Sequence, residues 1–395
     1  MRERKRLSVA LRLKQHWSSG WRIPYCPADN ARRQSAGNPV SQALNLSGGV
    51  MAASIRIGCI GCGGHAITYL QPCLAISESF ELIAVCDLDA AKAEQSARRF
   101  GWQQWYSNWH TMLEQEQLDA VVVCAPPAVH EEAGLEILQR GLHLFSEKPT
   151  SMTLEGAKRL ADAAGTTSPV HMVGLMWRHM PAHRLAGECI QRSDFGRPLL
   201  FQGRYFAPGP GMRRDWGLTE DQEQRYFLLD HAIHIIDCMH ALMGRVETVY
   251  AMALPARTGA HALQVTLSFA SGALGTLTMA HRTPVFDALV LVLGDGPAHV
   301  QVRNWHTLEY MPSQPAIGRG GYSDHPALIW NSGIGYMEGV GRPGYREELE
   351  LFAQTIREGG TGHANLEDAW QAMLVIDAIE QSLREERVVH IAAST

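Results

Sequence analysis

Residues 55–66 read IRIGCIGCGGHA, a β-branched strand running into a glycine turn and then into helix-forming sequence. No other stretch limits the fold of this chain as strongly. Gly61, Gly63 and Ala66 occupy the G-x-G-x-x-[GA] positions: Gly61 permits the tight turn, Gly63 lets backbone approach a pyrophosphate, and Ala66 lets helix and strand pack closely. Gly64 and His65 complete the turn, and the following helix offers free N–H groups and its positive end to phosphate. A second apolar strand, ELIAVCD at 81–87, ends at Asp87, 21 residues after Ala66. A carboxylate there accepts hydrogen bonds from ribose hydroxyls and repels a 2′-phosphate, so the pattern favours NAD over NADP.

Alternation continues with a helix at 90–100, the strand AVVVC at 120–124 and a helix at 128–139 after Pro126-Pro127. A strand follows at 143–146, then a helix at 153–164 and a strand at 170–174. Near-continuous apolar strands between helices predict a parallel sheet covered on both faces, with ligand bound beyond the carboxyl ends of the strands. The strand in GLHLFSEKPTSM (141–152) therefore ends its core run with Glu147, Lys148 and Pro149 at the cofactor rim. C-x-x-C is also spelled by Cys59 and Cys62, but one lies in a strand, the other in a glycine turn, and no second pair exists. A redox or zinc reading is set aside.

After Gly174 the pattern changes. Residues 198–206, 246–254, 261–269, 272–282, 288–293 and 298–303 read as successive strands with short turns, which predicts a largely antiparallel, open sheet. Between the first two lies LLDHAIHIID at 228–237. As a helix it gathers apolar residues 232, 235, 236, 239, 242 and 243 on one face. At ~100° per residue, Asp230, His234 and Asp237 fall within about 60° on the other, suited to lining a cleft. A metal site at Asp230, His231 and His234 is not expected, because His231 lies ~100° round the helix from Asp230. The loop 205–226 mixes aromatics with Arg213, Arg214 and Arg225; Trp216 or Tyr226 would stack on a sugar ring, and an arginine would pair with an anionic group. Residues 312–344, rich in Gly and Pro, read as a long surface loop.

Bulk properties narrow the function further. Residues 1–50 hold nine Lys and Arg against two acids, so the formal charge of −5 leaves −12 for the rest of the chain. Such an acidic body argues against nucleic acid as a partner. No run approaches the ~20 apolar residues of a membrane span. Eight scattered cysteines suggest reduced thiols in the cytoplasm. The basic first segment lacks the apolar core of a secretory signal; residues 1–53 read as a disordered or mis-assigned extension before a start at Met51.

Taken together, IGCIGCGGHA (57–66), the strand ending in Asp87, CAPPAVH (124–130), GLHLFSEKP (141–149) and DHAIHIID (230–237) resemble the Gfo/Idh/MocA oxidoreductases, from about Ile55 to Ile391. The resemblance implies an α/β fold: an N-terminal Rossmann dinucleotide-binding domain at 54–175 and a C-terminal α/β domain at 176–364 with an open, mostly antiparallel sheet. A last helix within 365–395 would pack back on the first domain. It implies hydride transfer between a secondary hydroxyl of a sugar, inositol or related polyol and NAD. The cofactor set carried over is Gly61, Gly63, Gly64, His65, Ala66, Asp87, Ala125, Pro126, His130, Glu147 and Lys148. Lys148 would touch ribose and substrate hydroxyl, His234 would be the general base, and Asp230 would hold substrate or base in place. Arg178, after the last Rossmann strand, falls on the substrate side with Trp216 and Tyr226. A homodimer or homotetramer through the open sheet is implied as well. Elementary chemistry agrees: oxidising an alcohol requires a proton acceptor near neutrality, and a fixed ammonium lowers the cost of alkoxide charge. Pro149 restricts the backbone of Lys148 and preorganises it. Two positions depart from the family: Pro127 stands where Asn is frequent, and Gln224–Phe227 replaces glycines before Asp230, which narrows the pocket. Two alternatives stay open, an NAD-using glycoside hydrolase and a non-catalytic NAD- or sugar-responsive regulator.

Overall fold

A computed structural model describes residues 53–208, 216–219, 222–254, 261–296, 298–312, 328–333 and 343–392. The basic segment 1–50, Arg213, Arg214 and most of the 312–344 loop lie outside the described residues.

The first sheet is built from β1 (Ile55–Ile60), β2 (Phe80–Cys86), β3 (Gln104–Tyr106), β4 (Ala120–Val123), β5 (His143–Ser146) and β6 (His171–Val173). Its order is β3-β2-β1-β4-β5-β6, and every pairing is parallel. All four residues of β4 are buried, as expected of a strand covered on both faces. The order reverses direction between β1 and β4, so the crevice for a ligand opens there. The short edge strand β3 carries no alternation in the sequence and was not expected.

Local chemistry sets the helices around this sheet. Helix α1 begins as a wide π-turn at Ala66–Leu70 and continues through Gln71–Ile76. In α2 (Ala90–Phe100) the Asp89 carboxylate accepts from the N–H groups of Ala91 and Lys92, and Gly101 closes the far end at φ 87°. Asn108 caps α3 (Trp109–Gln115), and Thr153 caps α5 (Leu154–Gly165). Between these lies α4 (Pro127–Gln139), with its proline in the first turn where no donor is needed.

Among the described residues the second sheet has nine strands: β7 (Pro198–Ala207), β8 (Val246–Leu254), β9 (His261–Phe269), β10 (Leu274–His281), β11 (Asp287–Gly294), β12 (His299–Arg303), β13 (Thr307–Met311), β14 (Leu328–Asn331) and β15 (Val389–His390). The order is β14-β13-β12-β11-β7-β10-β9-β8-β15, antiparallel except for the β7–β10 pair. β13, β14 and β15 extend the sheet beyond the six strands that periodicity identified. One face is covered by α6 (Pro181–Ile190) and by a long helical segment, α7, made of Glu223–Phe227, a π-turn at Leu228–Ala232 and Ile233–Met243.

Two C-terminal helices tie the layers together. α8 (Tyr345–Glu358) packs against α1, and its Phe352 meets Phe145 of β5 edge to face at 5.8 Å. Both rings are fully buried, and deleting such a ring costs about 3–5 kcal/mol. α9 (Leu366–Glu385) lies against α5 of the first layer and against α7 and β8 of the second. It therefore bridges both sheets rather than covering the first alone.

Candidate active site

Between β1, β4 and β5 lies a cavity of about 320 Å³. Gly61 sits at φ 109°, and a Cβ there would stand 2.0 Å from the Cys124 carbonyl, so only glycine fits. A Cβ on Gly63 or Gly64 would meet nothing within 4 Å. These two positions leave bare backbone facing open space at a helix start, which is the cradle a pyrophosphate requires. The Asp87 carboxylate accepts from the Cys62 N–H at 2.8 Å and from the Asp89 N–H at 2.9 Å, closing the glycine turn onto the end of β2. The residues present thus fit a dinucleotide. All eleven residues carried over for the cofactor (Gly61, Gly63, Gly64, His65, Ala66, Asp87, Ala125, Pro126, His130, Glu147 and Lys148) line this one cavity. Leu88, Lys92 and Trp109 line it too and were missed. They follow the carboxyl ends of β2 and β3, so the strand-end rule applied to every strand would have found them.

His130 fixes the wall. Its Nε2 accepts from the Ala125 N–H at 3.0 Å, which leaves Nδ1–H to donate to the Pro149 carbonyl at 2.8 Å. Burial pushes its pKa down to about 4, so the ring stays neutral. One side chain thereby joins the loop after β4 to the loop after β5.

At the far end of the cavity the two layers meet. Glu147 is buried, and its oxygens take His65 Nε2 at 3.2 Å and the Lys148 N–H at 3.1 Å. Burial raises its pKa, but His65, through charge and hydrogen bond, and Lys148 outweigh that, and the carboxylate is ionised. The Lys148 ammonium donates to Asp230 Oδ1 at 2.7 Å and to the Asp230 carbonyl at 2.8 Å. Asp230 Oδ2 accepts from the Tyr226 hydroxyl at 2.9 Å and lies 3.4 Å from His231 Nε2. Burial opposes ionisation of Asp230, yet the charges of Lys148 and His231 and the bonds from Lys148 and Tyr226 hold its pKa well below the usual range. An ammonium has three donors; two are bound to Asp230, and one is left for a ligand.

His234 stands four residues along α7, buried, with Nδ1 unpartnered and its ring near-parallel to Trp177 at 5.9 Å. Burial first, then the Lys148 charge, pushes its pKa well below 6.5. The imidazole is neutral and in its proton-accepting form.

Three expectations need correction. Of Asp230, His234 and Asp237, expected together on one face of the cleft, Asp230 lines the cavity and His234 does not, nor does Asp237. Asp237 is fully buried and takes two bonds from Arg178, at 2.6 and 2.7 Å. The i→i+5 turn at Leu228–Ala232 breaks the uniform 100° phase on which the helical wheel relied. Arg178, expected on the substrate side, is committed to Asp237 and to Asp368 at 3.2 Å. It joins β6, α7 and α9. Tyr226 is buried, its hydroxyl on Asp230 and its ring edge-on to Trp216 at 5.1 Å, so only Trp216 of that pair lines the cavity. Arg225 is likewise engaged, by Glu380 and by the Met152 carbonyl.

Cys59 and Cys62 are free, buried thiols, and burial raises both, Cys62 to about 11. Among the described residues no group of three or more His, Cys, Asp or Glu is placed to hold a metal ion, and no helix is long and apolar enough to cross a membrane.

Comparison with known proteins adds to this geometry. Residues 55–175 match the family described as "Oxidoreductase family, NAD-binding Rossmann fold", and residues 183–296 match the "GFO/IDH/MocA C-terminal domain". A levoglucosan dehydrogenase of Pseudarthrobacter phenanthrenivorans is 25% identical, over 86% of this chain and 98% of that protein. A myo-inositol 2-dehydrogenase of Thermotoga maritima is also 25% identical, over 85% and 98%. Among solved structures, a dehydrogenase from Chromobacterium violaceum has a TM-score of 0.76 and 28% identity, over 85% of this chain and 96% of that one. Levoglucosan dehydrogenase in complex with NADH and levoglucosan shares the fold, with a TM-score of 0.74 at 23% identity over 86% and 100%.

Proposed function

The chain belongs to the Gfo/Idh/MocA family and is an NAD-dependent dehydrogenase acting on CH–OH groups, and on that premise we propose that it oxidises a secondary hydroxyl of a sugar, inositol or related polyol. The relatives that match over most of the chain act on levoglucosan and myo-inositol by name. The observation that carries the reading is the Lys148–Asp230 junction, formed inside the dinucleotide cavity by residues of two different sheet layers.

NAD, when bound along the glycine turn, Ala125–Pro126 and Glu147, supplies the hydride acceptor. The work of the chain is positional and electrostatic. Asp230 fixes the Lys148 ammonium with two of its three donors, and the third points a positive charge at the substrate hydroxyl, where negative charge grows in the transition state. His234, neutral and buried, takes the hydroxyl proton. Tyr226 and His231 fix Asp230 from its other oxygen. Trp216, at the cavity edge, offers an aromatic face to a sugar ring.

The test is formation of reduced nicotinamide when purified protein and NAD meet a panel of sugars and polyols. Lys148→Ala and His234→Ala should each lower kcat/KM about 10²–10⁴-fold while circular dichroism shows the fold retained at the assay temperature. Unchanged turnover in both variants defeats the site assignment; cofactor binding with silence across the panel favours a regulator instead.

We assign the oligomer contact to the sheet face turned away from α6 and α7. It carries Leu200, Met252, Leu254 and Leu274, which are 38%, 61%, 73% and 57% exposed. Light scattering at micromolar concentration should give a dimer or tetramer, and a monomer refutes the assignment.

A further inference from the structure

Glu348, in the first turn of α8, is an anomaly. It is 0% exposed, and neither carboxyl oxygen has a hydrogen-bond partner among the described residues. Buried carboxylates are paired or hydrogen-bonded, because an isolated buried charge is prohibitively costly. Among the described residues no cation compensates this one. The groups whose charges act on it are Glu147, at the end of β5, and Glu347 on its own helix, and both are acids. Cys73, across the contact with α1, is a thiol whose own pKa is raised by burial and then by Glu348. Burial first and Glu147 second push Glu348 far above the usual carboxyl range.

Its neighbour Glu147 is the contrasting case. That carboxylate lines the cofactor cavity, with its oxygens on His65 and on the Lys148 N–H. It is also packed so closely on Gly174 that a Cβ there would lie 2.8 Å from its carboxyl carbon. It has donors enough to remain charged; Glu348 has none. Two acids that act on each other's charge in one low-dielectric site resist being ionised together, so Glu348, which has no donor, keeps its proton. Glu147 in turn meets His65, whose side chain is 29% exposed at the cavity wall and is packed by Tyr69 at 4.8 Å and Tyr345 at 5.6 Å.

We propose that Glu348 and Glu147 form a carboxyl pair holding one proton beneath the Lys148 end of the cofactor cavity, and that this proton leaves when the oxidised cofactor binds. The oxidised nicotinamide ring carries a positive charge that the reduced ring lacks. A cation arriving beside Glu147 lowers the cost of the second carboxylate, so the proton passes to solvent with no other change of bonding. Reduced cofactor has the same phosphates and adenine, and gives no such drive. The proposal rests on reading the Lys148 end as the nicotinamide end.

Calorimetry of the full chain with NAD⁺ and with NADH, in phosphate and in Tris between pH 6 and 9, separates these cases, since the difference in binding heat between the buffers counts the protons released. A fractional release approaching one proton per site is expected for NAD⁺ and about none for NADH. Glu348→Gln, which cannot release a proton, should abolish the difference while leaving NADH affinity within about twofold. The parent protein gives a second readout: the infrared C=O band of a protonated carboxyl should diminish when NAD⁺ is added. No proton release in the parent across this range, equal release with NADH, undiminished release in Glu348→Gln, or a carboxyl band that persists on NAD⁺ binding each overturns the proposal. Polyol turnover is measured separately: protein that turns over without proton-linked NAD⁺ binding defeats only this inference, and protein that binds neither cofactor form defeats the site reading itself.

Discussion

Replacing Arg178 with methionine separates a structural role from a substrate-binding one. The guanidinium is 15% exposed and bonds both oxygens of Asp237, which is 0% exposed, while also reaching Asp368. Removing it strands a buried carboxylate, a change that costs about 3–5 kcal/mol out of a total stability of ~5–15 kcal/mol. At about 2–4 °C per kcal/mol, Tm should fall by roughly 6–20 °C. The loss should grow with pH. Burial already pushes Asp237 up to about 7 against the pull of Arg178, and the bidentate bonds are what favour its ionised form. Without Arg178 its folded pKa rises further above the unfolded value near 3.8. The unfolded state then sheds a proton that the folded state keeps; the parent already shows this decline between about pH 4 and about 7, so the extra loss in the variant opens above about pH 7. Thermal melts at pH 5 and pH 8 measure this directly, and Asp237→Leu added to Arg178→Met should restore most of the lost Tm. A variant that melts within about 2 °C of the parent at both pH values, yet shows a raised KM for polyol, refutes the ion-pair argument and returns Arg178 to the substrate.

Two glycines of the same turn should behave differently. Gly61→Ala drives a methyl into the Cys124 carbonyl at a left-handed φ, so it should lower Tm and abolish cofactor binding together. Gly63→Ala enters open space, and should weaken NAD binding at least tenfold with Tm unchanged; equal melting losses in both count against the cradle. His234 accepts a proton only above its own pKa, which burial and Lys148 place well under 6.5. The acid limb of kcat/KM should therefore lie below that value, and a limb at or above it argues for another base.

What the sequence determined by itself was local chemistry. The glycine turn needs a positive φ and a bare backbone, the strand ends need a carboxylate or an ammonium where the core stops, and continuous apolar strands between helices need a parallel sheet. Each is settled by neighbours within a few residues, which is why the Rossmann half and the cofactor cradle were legible. Tertiary structure alone decided the pairing of charges. Lys148 and Asp230 are 82 residues apart, and Arg178 and Asp237 are 59 apart; residue types showed that ions were available, not which ones would meet. A single wide turn in α7 sent Asp237 into the core and left Asp230 at the cleft. The same limit hid Glu348, whose isolation exists only because α8 folds back on α1 and closes over it. Desolvation belongs to the assembled interior, and no window of sequence carries it.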